Sequence, residues 1–176
     1  VTPLKILTAN DFNSSRIIFT GLALGIILMG FAWASRVLAR GADAYRMSGW
    51  GAWVGVPAFV AVIASAPLGS PMLFAVGVFL IGLGGGLFAH GTLTATMQLA
   101  TPEQTGLAMG AWGAVQATAA GVGMALGGIV RDGVALGSSS VMGYSSVYAL
   151  EIVLLGLTLW AIGPLMQPVR QTPISA

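Results

Sequence analysis

Residues 82–131 read GLGGGLFAHGTLTATMQLATPEQTGLAMGAWGAVQATAAGVGMALGGIVR, and this stretch decides the fold. Two apolar, glycine-laden segments flank a short polar break, Thr101-Pro102-Glu103-Gln104-Thr105. The second segment carries small residues in two rows at four-residue spacing. One row is Gly106, Gly110, Ala114 and Thr118; the other is Gly113, Ala117, Gly121 and Ala125. Small residues every four positions on an apolar helix let another helix approach closely. The pattern predicts a membrane hairpin whose second helix offers Gly106, Gly110, Gly113, Ala117 and Gly121 for packing. The GLGGG run at 82–86 is no phosphate loop, because it lies mid-span and lacks the following Lys and Ser/Thr.

Composition extends this reading to the whole chain. Only 7% of its 176 residues are charged, against about a quarter in soluble domains, and 56% are hydrophobic. A soluble fold of this size has no interior large enough for so much apolar surface, so the solvent is lipid. The apolar runs are about twenty residues long rather than ten-residue alternations, which selects an all-α membrane protein over a β-barrel. Seven basic and five acidic residues, net +2, are too few and too scattered for a nucleic-acid surface. With no cysteine there is no disulfide and no thiolate metal site. The first sixteen residues lack a basic start followed by an apolar run, so no signal peptide is expected.

Five spans are expected, at 17–35, 48–66, 72–99, 106–130 and 147–166. They leave a polar interfacial arm at 1–15 and a C-terminal tail at 167–176. The segment RVLARGADAYR at 36–46 reads as a loop. Its Arg36, Arg40 and Arg46 make it cytoplasmic by the positive-inside rule. A second, glycine- and serine-rich loop is expected at 131–146. Pro57 is expected to kink the second span. Trp33, Trp112 and Trp160 read as anchors facing lipid or the interface.

Two titratable side chains fall within the spans, His90 and Glu151. Ionisable groups in a membrane are costly and default to functional candidates. His90 is a candidate axial ligand for a metal in a planar macrocycle; the alternative is a histidine hydrogen-bonded to a neighbouring helix. Glu151 is expected about one turn into the last span, paired with His90 or Arg131 or reaching the headgroups. Gln98 and Gln116, with Thr92, Thr94, Thr96 and Thr118, read as buried polar groups bonded between helices. No Ser-His-Asp, HExxH or paired-carboxylate arrangement is present, so no catalytic residue is assigned and no enzyme is expected.

The RGADAYR end of the 36–46 loop, GLFAHGTLTATM at 86–97, GAWGAVQATAAG at 110–121, Arg131-Asp132 and VYALEI at 147–152 resemble the PucC/LhaA family. These are light-harvesting complex assembly proteins of phototrophic bacteria, also called the bacteriochlorophyll delivery family, within the major facilitator superfamily. The resemblance covers residues 17–176. It implies the C-terminal half of a twelve-span fold, spans eight to twelve, in the bacterial inner, intracytoplasmic photosynthetic membrane. Implied partners are light-harvesting antenna polypeptides, the reaction-centre complex and the lipid bilayer, with no nucleic acid. Implied cofactors are bacteriochlorophyll or a carotenoid. Three functions follow: an assembly factor for antenna polypeptides, a stable accessory subunit of the antenna–reaction-centre complex, and half of a small-molecule or pigment transporter.

Overall fold

The computed structural model describes Ile26 and residues 28–166; the arm at 1–15, most of the expected first span and the tail at 167–176 lie outside them. Five helices follow one another: α1 (Leu28–Ala39), α2 (Ala44–Ser65), α3 (Pro71–Leu99), α4 (Thr105–Gly137) and α5 (Ser140–Ile162). Short 3-10 turns precede α4 and follow α5. α2 to α5 are each long and apolar enough to cross a membrane, which makes the chain an all-α, multi-pass membrane protein.

Capping chemistry sets the helix ends, and it moves two of the expected loops. α2 starts at Ala44 because the Asp43 carboxylate accepts from the Arg46 backbone N–H at 2.8 Å. The loop expected at 36–46 therefore shrinks to residues 40–43, with Gly41 at φ +88° turning the chain. Arg36 lies in the last turn of α1 and Arg46 in the first turn of α2. All three arginines remain exposed at this one end.

The glycine- and serine-rich loop expected at 131–146 is not a loop. α4 continues through Gly133 to Gly137, and only Ser138 and Ser139 connect it to α5. Ser138 Oγ donates back to the Val134 carbonyl at 2.8 Å, while Ser139 Oγ accepts from the Met142 backbone N–H at 3.3 Å. One serine thus closes a helix and the next opens another. The spans expected at 106–130 and 147–166 become 105–137 and 140–162.

The tightest packing joins α2 to α3. Glycines 77, 84 and 91 recur every seven residues along α3, the spacing that keeps one stripe on a partner helix. Opposite them stand Val62, Gly51 and Ser48. A Cβ added to Gly51 would lie 2.6 Å from both the Gly84 carbonyl oxygen and the Phe88 backbone nitrogen. One added to Gly84 would lie 2.7 Å from the Gly51 carbonyl oxygen, so the two backbones touch. Ala34, Met47 and Leu87 close the small core where α1 meets this pair. α5 lies on α2 through Leu155 over Gly55 and a tilted Phe59–Tyr148 ring pair with centroids 5.9 Å apart. α4 contributes no buried residue at all.

Candidate functional site: the free face of α4 and the α4–α5 cleft

The small-residue rows of α4 face away from the rest of the chain. Gly106, Gly110, Ala114, Ala117, Thr118, Gly121 and Ala125 are exposed, and Gly113 is half-buried. A Cβ at Gly106, Gly110, Gly113 or Gly121 would meet nothing within 4 Å. The partly covered residues, among them Trp112, Gln116 and Val130, lie on another side of the helix. Among the described residues, then, the glycine seam is built by α2 and α3, and the rows on α4 touch no helix.

α4 is held near its start by one side-chain bond. Trp112 Nε1 donates to Thr92 Oγ1 on α3 at 3.2 Å, so this indole is an interhelical tie and not a lipid anchor. Trp33 and Trp160 are exposed, at 46% and 81%, on the lipid-facing surface. Thr92, Thr94 and Thr96 donate to carbonyls of their own helix. Gln98 is exposed at the end of α3, and Gln116 is half-buried. Neither glutamine is buried, and neither bonds to another helix among the described residues.

His90 sits half-buried on α3 beside α1. Its Nε2 lies 3.1 Å from Ser35 Oγ, and the edge of its ring meets Phe31 at a centroid distance of 5.2 Å. The Ser35 hydroxyl has one proton, which it donates to the Phe31 carbonyl at 3.0 Å. With that proton committed to Phe31, the geometry assigns the ring proton to Nε2, which donates to Ser35. That leaves Nδ1 as a lone-pair acceptor, enclosed and without a partner. One ring nitrogen is engaged and the other is walled in, so His90 as placed does not fit an axial ligand to a macrocycle. The hydrogen-bonded alternative describes it: His90 fastens α3 to α1.

Glu151 is deeper than expected. Because α5 begins at Ser140, Glu151 is at the midpoint of the helix rather than one turn from its end. It pairs with neither His90 nor Arg131; among the described residues the ion pair is Arg131 Nε to Asp132 Oδ1 at 2.8 Å. Glu151 does share with Arg131 a cleft of about 340 Å³, lined also by Gly123, Gly127, Gly128, Tyr144 and Tyr148. The Arg131 guanidinium lies 5.6 Å from the Tyr144 ring centroid. Two helices meet closely at the head of this cleft, where a Cβ on Gly143 would lie 2.6 Å from the Arg131 carbonyl oxygen. The serine caps that extend α4 and α5 were the available signal for this cleft: they convert an expected loop into its two walls.

The fold and these surfaces define a multi-pass helical membrane protein in which one face of α4 is left uncovered among the described residues. Residues 18–169 match the family described as PUCC protein, and the chain belongs to that family. It is 54% identical over 132 residues to Protein PucC of Rhodovulum sulfidophilum, covering 75% of this chain and 29% of that one. It is 50% identical over 146 residues to Protein PucC of Cereibacter sphaeroides, covering 80% and 32%. It is 46% identical over 157 residues to an uncharacterized protein in the puhA-bchM intergenic region of Rhodobacter capsulatus, covering 84% and 33%. The chain thus spans about a third of the length of these relatives. No solved structure matches it.

Proposed function

We propose that this protein assists the assembly of bacterial light-harvesting complexes by holding single-span antenna helices against the small-residue face of α4. The carrying observation is that face itself. A 33-residue helix presents glycine and alanine at four-residue spacing, and none of the described residues covers that face. In lipid, close backbone approach replaces the hydrophobic effect as the force that pairs helices. A strip without side chains offers such an approach to helices of varied sequence. Membership of the PUCC family supports antenna polypeptides as the guests and the photosynthetic membrane as the place. Binding through a flat strip is weak and reversible, which suits a protein that must release its guest.

The test is antenna yield in cells carrying Gly113→Leu or Gly121→Leu. A Cβ at either position meets no described atom within 4 Å, so the variants are expected to fold while the strip is blocked. Antenna complexes are expected to fall several-fold in both variants, measured by their long-wavelength absorption per cell. Full antenna yield in both would remove α4 as the docking face. Isolation from native membranes in mild detergent separates this reading from the accessory-subunit one. Antenna polypeptides recovered from immature complexes fit an assembly factor; stoichiometric recovery with mature complexes fits a permanent subunit.

A further inference from the structure

The α4–α5 cleft contains a carboxyl group to which no described residue bonds. Glu151 is half-buried at the midpoint of an apolar helix and makes no hydrogen bond or ion pair among the described residues. A carboxylate at membrane depth is costly and is normally matched by a cation or a donor. Arg131, the cation lining the same cleft, is already bound to Asp132 and lies against Tyr144. At about 1.5 Å per residue, Glu151 also lies about 7 Å further than Arg131 from the α4–α5 turn. The facing wall carries almost no side chains: Gly123, Gly127 and Gly128 come from α4. A Cβ on Gly123 or Gly128 meets nothing within 4 Å, so the chain's own packing does not require either glycine.

We propose that this cleft receives a transmembrane helix of a partner protein that carries a lysine or arginine near its middle. The cationic side chain pairs with Glu151, while the partner's backbone lies against Gly123, Gly127 and Gly128. Charge complementarity selects this occupant. A lipid acyl chain fills the space but leaves the carboxylate unmatched. A second copy of the chain offers, within its described membrane spans, Arg131, which Asp132 already holds, and Arg46, which stands in the first turn of α2 rather than near the middle of a helix. The inference rests on the assembly reading and deepens it by naming the mark that the incoming helix bears.

The chain has no cysteine, so Leu136→Cys, at a position 91% exposed near the end of α4, gives a single labelling site. The labelled protein in phosphatidylcholine vesicles is titrated with dye-bearing Leu/Ala peptides of about twenty residues, long enough to span. The peptides differ only at the central position, Lys or Leu. The Lys peptide is expected to bind about tenfold more tightly, equivalent to about 1.4 kcal/mol. Glu151→Gln should erase that difference, and Gly123→Leu should weaken the Lys peptide. Both variants should keep the parent's elution position and helical circular dichroism. Equal binding of the two peptides to the parent, or a Lys preference that survives Glu151→Gln, overturns the proposal. Antenna assembly that is sensitive to Gly121→Leu but indifferent to Glu151→Gln also overturns it and leaves the assembly reading standing. A Glu151-dependent Lys preference with antenna yield intact in the α4 variants does the reverse.

Discussion

At the scale of single residues, glycines of the same apparent kind divide into two classes. Gly51 is wedged against backbone atoms of α3, which cannot swing aside. Gly51→Ala should therefore destabilise the protein by about 1–3 kcal/mol, as overpacking does. Gly123 has open space, and Gly123→Ala should be neutral or stabilising by up to about 1 kcal/mol, because alanine is the better helix former. Denaturant titration in mild detergent reads both, and equal losses would contradict the division. His90 yields a second prediction. Ring-nitrogen chemical shifts should report a proton on Nε2 and a bare Nδ1. Ser35→Ala should cost about 0.6 kcal/mol, the usual worth of a hydrogen bond between membrane helices. A proton on Nδ1 in the parent would reverse the assignment of donor and acceptor.

At the scale of elements, short polar side chains decide where helices begin. The Asp43 carboxylate satisfies a free N–H in the first turn of α2. Asp43→Ala should cost about 1 kcal/mol and fray residues 44–47, seen as lost amide protection there. An unchanged exchange rate at those amides would show that packing on α3, not the cap, holds this turn. The apolar content of the helices was legible in the sequence because a span needs about twenty apolar residues wherever it sits. The ends were less legible. Residues 131–146 contain three glycines and five serines, a composition that reads as loop. In lipid such residues remain helical, because no water competes for the backbone groups. Lengthening α5 toward its N-terminus moved Glu151 from one turn inside the helix to its midpoint.

At the scale of the molecule, cohesion is uneven. α2 and α3 share a backbone-to-backbone seam, α5 rests on α2, and α4 buries nothing. Hydrogen exchange in detergent should follow that order, slowest in α2 and α3, intermediate in α5 and fastest in α4. Exchange in α4 as slow as in α3 would mean that α4 is already covered, and would remove it as a docking surface. A helix with no buried residue and one largely exposed face is poorly suited to a finished assembly and well suited to receiving another helix.

The sequence by itself determined that this is a helical membrane protein, roughly where its spans lie, and to which family it belongs. Those properties follow from hydropathy over long windows and from motifs, and neither depends on which helix touches which. Only the tertiary structure decided how the small residues are used. Small residues at regular spacing permit close approach but do not name the partner, so neither the glycines seven apart on α3 nor the rows four apart on α4 reveal in the sequence what they touch. Contact with α2 spends the first row inside the chain and leaves the second free. The same holds for the two ionisable groups: Ser35 on another helix engages one ring nitrogen of His90, while no described neighbour bonds to Glu151.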